Sequence, residues 1–144
     1  YNEINPLGKE GKKIKIEEFW KLPVDILIPA SVTDIINENN KNRIHAKIIV
    51  EAENIPMREN IEEELFKKGI MIVPDFLANS GGVISSYAEY RGLHPRKMFE
   101  LITQKIGKTA KTILKESVNK KINPRKIALE MAKKKIKAKI DKNK

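Results

Sequence analysis

Two asparagines and a pair of glycines carry most of the chemistry that spacing alone reveals. Asn54 follows the apolar run "AKIIVEA" (46–52), Asn79 follows "GIMIVPD" (69–75), and Gly81 and Gly82 come just after Asn79 within "PDFLANSGGVISSYAEY" (74–90). A primary amide both donates and accepts, which suits a carboxamide or a ribose hydroxyl; the competing role for each asparagine is a turn residue bonding its own backbone. Small residues at the carboxyl end of a strand let a ligand approach the backbone. A third apolar run, "VDILIPA" (24–30), ends the same way on Pro29 and Ala30. No other reactive constellation stands out. Cysteine is absent, so disulfides, thiolate chemistry and a cysteine-ligated zinc are excluded, which accords with a reducing, cytoplasmic setting. His45 and His94 each lack a second ligand at metal-binding spacing, and no metal site is expected.

These residues need a scaffold, and 144 residues suffice for one ordinary core. The three apolar runs are apolar throughout rather than alternating, as expected of strands covered on both faces. Strands are expected near 25–28, 47–51 and 70–73. Between the first two, "SVTDIINENNKNRI" offers Ser31 as N-cap, Asp34 three residues on, and Val32, Ile35 and Ile36 on one side, which predicts a helix. Between the next two, "MRENIEEELFKKG" puts Ile61, Leu65 and Phe66 on one face and stops at Gly69. Strands alternating with helices of this length predict βαβ units and a parallel sheet. The opening residues resolve only into a possible edge strand at Lys13–Ile16 and a helical turn near Glu17.

After residue 91 the period becomes helical. Met98, Leu101, Ile102, Ile106, Ala110, Ile113, Leu114 and Val118 form one stripe, with Pro95 suited to a first helical turn. Asn123 and Pro124 read as an N-cap and N1 pair opening a last helix, on which Ile127, Ala128, Met131, Ala132, Ile136 and Ile140 recur between lysines. Charge follows the same division. Residues 91–144 hold 18 Lys and Arg against 4 Asp and Glu, a net +14, while residues 1–90 carry 11 against 15, a net −4. A basic stripe is the footprint of a nucleic-acid binder, but lysines between the apolar positions of an amphipathic helix are equally the solvated face of that helix, so nucleic acid is not the expected partner. No apolar run approaches the roughly 20 residues of a membrane span.

As a set, "DILIPA", "IIVEAENIP" and "PDFLANSGGVISSYAEY", in this order and spacing, resemble the nucleotide-binding domain of the glutamate, leucine, phenylalanine and valine dehydrogenase family. The resemblance is close over residues 13–91 and loose over the C-terminal helices. It implies the C-terminal half of a Rossmann-like, doubly wound α/β sheet: a partial dinucleotide-binding domain over 1–91, then a helical segment over 92–144 packed on it. Family enzymes pass the α-hydride of an amino acid to NAD or NADP, and the imino acid is hydrolysed to a 2-oxo acid. By resemblance, Asn79 holds the nicotinamide carboxamide and Asn54 lies beside the nicotinamide ribose. Pro29 and Ala30 shape the adenosine wall, Gly81 and Gly82 allow close approach of backbone and helix to the cofactor, and Val83 and Ser86 face the amino-acid side-chain pocket. A serine at this last position points to L-glutamate.

Several residues depart from the family pattern. Glu51, Ala52, Glu53 and Asn54 stand where the family has Glu-Gly-Ala-Asn, Met57 and Arg58 replace threonines, and Tyr90 replaces a tryptophan. A carboxylate at Glu53 would repel a phosphate if it pointed inward. The seven glycines, at 8, 11, 69, 81, 82, 92 and 107, make no Gly-x-Gly-x-x-Gly turn, and the family's catalytic Lys and Asp lie on a separate substrate domain that has no counterpart here. The chain is therefore expected to be a homo-oligomerising fragment of a glutamate-dehydrogenase-like enzyme, without catalytic residues, inactive alone, and binding NAD or NADP weakly or not at all. The alternative is a separate non-catalytic module that uses its basic C-terminal helices to bind nucleic acid or protein.

Overall fold

The computed structural model describes residues 14–142. Its centre is a parallel three-stranded sheet in the order β1 (Ile26–Leu27), β2 (Ile48–Val50), β3 (Met71–Val73). The register pairs Ile26 with Ile48, then Ile48 with Met71, Ile49 with Ile72 and Val50 with Val73. All three strands fall inside the expected runs. A pleated strand turns alternate side chains to opposite faces, and the core divides accordingly. Ile49 and Ile72 join Trp20, Ile36, Ile61 and Leu65 on one face, while Val73 packs with Leu77, Ile113, Ile127 and Ala128 on the other. Burial of a side chain such as Ile49, Ile72 or Leu65 contributes roughly 1.5–3 kcal/mol.

Helix α1 (Ile16–Phe19) is the helical turn expected near Glu17 and leads into the buried Trp20. The edge strand expected at Lys13–Ile16 does not form among the described residues, because Ile14 and Lys15 belong to no element and Ile16 opens α1; Lys13 itself lies outside them. Helix α2 (Glu59–Lys67) covers the first face through Ile61 and Leu65. It ends where Gly69, at φ +92°, turns the chain so that the Ile70 amide donates to the Leu65 carbonyl and β3 can begin.

The second expected helix, over 31–44, is absent, and this is the main correction to the sequence reading. Only a 3-10 turn at Lys41–Arg43 interrupts the loop. The segment's asparagines compete with a helical backbone: Asn40 Oδ1 accepts from the Asn37 amide at 2.8 Å, and Asn40 Nδ2 donates to the Ile35 carbonyl at 2.7 Å. The Asp34 and Ile36 amides donate to the Ile55 and Pro56 carbonyls of the next crossover instead of closing a helical turn, and Asp34 sits at φ +58°. The apolar spacing had a different purpose. Ile36 alone enters the core fully, whereas Val32 is 61% exposed.

Two short helices, α3 (Asp75–Ala78) and α4 (Gly81–Tyr90), follow β3. Then α5 (Pro95–Lys120) and α6 (Pro124–Lys142) cover the second face. Pro95 occupies the first turn of α5, and Asn123 caps α6, its Oδ1 accepting from the Arg125 amide at 2.8 Å. The α5 stripe is shorter than its period suggests. Val118 is exposed and Ser117 is buried in its place, the Ser117 hydroxyl donating to the Ile122 carbonyl as the chain turns. On α6 the core stripe stops near Met131, and Ala132, Ile136 and Ile140 are exposed. Among the described residues, no helix is long and apolar enough to cross a membrane.

Candidate functional site

The carboxyl ends of β2 and β3 bring Asn54 and Asn79 together. Asn79 Nδ2 donates to Asn54 Oδ1 at 2.6 Å, so the two side chains bond each other rather than their own turns. That leaves Asn79 Oδ1 as an acceptor and Asn54 Nδ2 as a donor, the complementary pair that a carboxamide requires. The two amides border an open cleft of about 570 Å³ lined by Ala52, Glu53, Asn54, Asn79, Gly82, Val83 and Ser86. Five of the eight residues singled out from the sequence therefore meet in one depression: Asn54, Asn79, Gly82, Val83 and Ser86.

The other three stand outside it. Pro29 is buried at the end of β1, its carbonyl accepting from the Ala52 amide at 3.1 Å, and Ala30 is exposed beyond it. Gly81 turns toward α5, where a methyl group would come 3.6 Å from Ile102 and 3.7 Å from Ile106, ordinary contact distances. Neither position requires glycine for its own backbone conformation or for packing among the described residues. Both residues lie in the first turn of α4 without positive φ. A methyl group on Gly82 would meet nothing within 4 Å, because its space is the cleft itself. Glycine in a helix costs about 1 kcal/mol relative to alanine, and nothing among the described residues offsets that cost at Gly82.

Chain connectivity explains how the asparagines are held. Asn79 ends α3, its amide donating to the Asp75 carbonyl at 2.8 Å. The Asn54 carbonyl accepts from the Thr33 hydroxyl at 3.1 Å, which ties the long β1–β2 loop to the site. The next residue, Ile55, stands at φ +53°, a strained conformation for a β-branched residue. Its amide is held by Asp75 Oδ2 at 3.0 Å. Ser86 donates to the Gly82 carbonyl at 3.2 Å along its own helix. Val83 is 76% exposed on the cleft wall. Both oxygens of Glu53 are shielded from solvent and lack a hydrogen-bond partner among the described residues.

Behind the cleft lies a buried charge cluster whose roles sequence reasoning missed. Arg125, on the first turn of α6, donates through Nη2 to Glu51 Oε2 at 2.6 Å, through Nη1 to Asp75 Oδ1 at 3.0 Å, and through Nε to Glu62. Its guanidinium also lies 5.4 Å from the centre of the Phe76 ring. Burial first, and then the neighbouring Glu62 charge, push the Glu51 carboxyl up to about 7 against the pull of Arg125. Burial raises Glu62 as well. Burial also works to raise Asp75, but the Ile55 and Phe76 amides and Arg125 outweigh it and hold that carboxyl below its ordinary value. One signal was available in the sequence: Glu51 closes an apolar strand and Asp75 follows Pro74 at the end of another, and acids so placed require a cation.

A parallel sheet with helices on both faces, and amides converging at the carboxyl ends of its strands, defines the Rossmann-like class of α/β domain. L-tryptophan dehydrogenase from Nostoc punctiforme shares this fold at a TM-score of 0.78 and 28% identity, over 87% of this chain and 38% of that one. The chain belongs to the Glutamate/Leucine/Phenylalanine/Valine dehydrogenase family, whose profile matches residues 1–143. Among curated relatives, a glutamate dehydrogenase of Aeropyrum pernix is 39% identical over 112 aligned residues, which take in 74% of this chain and 27% of that protein. An NADP-specific glutamate dehydrogenase of Saccharolobus shibatae is 46% identical over 81 residues, 56% of this chain and 19% of that protein. The chain thus spans between a fifth and about a quarter of the length of these relatives.

Proposed function

We propose that this chain supplies the nicotinamide-facing half of the dinucleotide site in an NAD- or NADP-dependent amino-acid dehydrogenase, with oxidative deamination of L-glutamate to 2-oxoglutarate and ammonia as the reaction of the whole enzyme. The observation that carries this reading is the Asn79–Asn54 amide pair, with its remaining donor and acceptor at the mouth of an open cleft. The bound dinucleotide supplies the hydride acceptor. Asn79 orients the carboxamide, Asn54 flanks the adjoining ribose, and Gly82 leaves room for the ring. Val83 and Ser86 border the space for the amino-acid side chain. Pro29 and Ala30, outside the cleft at the end of β1, lie toward the adenosine half. In this reading residues 1–91 are the partial dinucleotide-binding domain and 92–144 the helical segment that buttresses it.

The residues fit one end of the cofactor only. A pyrophosphate is held by backbone amides at a glycine-rich turn and helix N-terminus, and this sequence has no such turn. The shielded Glu53 carboxylate adds repulsion toward any phosphate nearby. Binding by the isolated chain is therefore weak. Turnover is absent, since hydride transfer needs the amino-acid carbon held against the ring and a base placed to take its proton. The rival reading, a separate module binding nucleic acid or protein, draws support from α6, whose outer half exposes Ile136 and Ile140 among lysines. Saturation-transfer NMR with NADH or NADPH separates the two. Saturation should reach the nicotinamide protons and be lost in Asn79→Ala, whereas saturation confined to adenine, or none at all, refutes the proposal. Glutamate-dependent NAD(P) reduction that Asn79→Ala abolishes would refute the half-site reading.

A further inference from the structure

We infer that Arg125 is a positioning residue for the Asn54–Asn79 pair, its single guanidinium fixing both the loop that carries Asn54 and the helical turn that carries Asn79. The inference rests on the proposed role of that pair. Its geometry does not. Arg125 Nη1 binds Asp75 Oδ1, while Asp75 Oδ2 accepts from the amide of Ile55, the residue after Asn54. Arg125 Nη2 binds Glu51 Oε2, and that same oxygen accepts from the Asp75 amide at 2.7 Å. Asp75 in turn begins the helical turn whose last amide is that of Asn79. Both asparagines thus lie one short chain of bonds from one cation.

Two features give the arrangement leverage. Ile55 is held in a left-handed conformation that a β-branched residue rarely adopts, so the Asp75 bond to its amide works against a standing strain. Charge in the cluster is unbalanced as well. Glu51 just after β2, Glu62 from α2 and Asp75 from α3 face the guanidinium directly, and the Glu63–Lys126 pair closes the periphery at 3.1 Å. Three carboxylates surround one cation, and Glu51 Oε1 and Glu62 Oε1 are buried without a hydrogen-bond partner among the described residues. Protonation of Glu51 near pH 7 relieves this excess, so the grip on Asp75 responds to pH.

The test uses the isotope-labelled full chain without nucleotide, and reads exchange of the Ile55 amide and the side-chain amide resonance of Asn79. Arg125→Lys keeps the charge but loses the planar fork. It should speed Ile55 exchange at least about tenfold and shift the Asn79 resonance, while amides of β2 and β3 stay protected. In the wild type the Asn79 resonance should titrate with a midpoint near 7, and Glu51→Gln should abolish that titration. Unchanged Ile55 exchange in a folded Arg125→Lys protein overturns the inference. So does an Asn79 resonance that stays flat from about pH 5 to about 9, an arm that decides the matter even if the Arg125 variant does not fold. With no nucleotide present, failure here leaves the ligand of the asparagine pair open, and a failed saturation experiment leaves the role of Arg125 standing.

Discussion

Replacing Glu51 by Gln should make the protein more stable at pH 8 and leave it nearly unchanged at pH 5. Glu51 is fully buried, and its carboxyl is pushed up to about 7 from an ordinary 4.5, chiefly by burial. A carboxyl with a raised folded-state value binds more protons in the native than in the unfolded chain between those two values. Stability from this group is therefore complete below about 4.5 and is lost as pH rises through about 7. The difference corresponds to roughly 3 kcal/mol, a large fraction of a small domain's margin. Glu62, raised for the same reason, contributes with the same sign. Asp75 has the opposite sign, and its contribution is lost only as pH falls below the ordinary carboxylate range. Glutamine preserves the side-chain volume and an acceptor for the Asp75 amide while carrying no charge. Urea denaturation of both proteins at the two pH values measures the effect. Contributions common to the two proteins cancel in the comparison. A Glu51→Gln gain in stability no larger at pH 8 than at pH 5, or a Glu51→Gln protein equally destabilised at both, would refute the reasoning.

Gly82→Ala should stabilise the fold by about 0.5–1 kcal/mol in urea denaturation, because the methyl meets nothing within 4 Å, while weakening nicotinamide saturation. Loss of stability there would mean that the cleft is filled by this chain. Ile36→Ala should cost about 2–5 kcal/mol, and Val32→Ala less than about 0.5, since one side chain is fully buried and the other 61% exposed. Equal costs would restore the helix expected over 31–44. Ile26 and Ile28 are 53% and 58% exposed at the β1 edge, whose outer side has no partner strand among the described residues. The isolated chain is expected to self-associate at micromolar concentrations. Sedimentation velocity showing a monomer across that range counts against this.

Much of the fold was legible because local signals and tertiary demands agree. The apolar runs at 26–28, 48–50 and 70–73 have no helical alternative, and Pro95, Pro124 and Gly69 mark helix ends by constraints that hold in any context. The loop after β1 was misread because Val32, Ile35 and Ile36 mimic a helical stripe, while the side chains of Asn37 and Asn40 bind the backbone only when the loop is formed. At the site, the meeting of Asn54 and Asn79 follows from their equivalent positions after adjacent strands. The meeting of Arg125 with its acids does not. Those partners lie 50, 63 and 74 residues away, and no local pattern on α6 distinguishes Arg125 from the lysines around it.

The connection between β1 and β2, which has no α-helix, also bears on the order in which the molecule assembles. From β2 through α2 to β3 the chain runs from residue 48 to 73 and carries its own nine-residue helix, so a turn formed early can bring its two strands together. The path from Leu27 to Ile48 has no such local support. Its ends must be closed against chain entropy before the asparagine bonds and Ile36 can repay the cost. β1 should therefore dock after the transition state. Its contacts would be absent at the rate-limiting step and present only in the product. Stopped-flow measurements on Ile36→Ala should show its destabilisation as faster unfolding with a nearly unchanged folding rate. A slowed folding rate would instead place β1 in the nucleus.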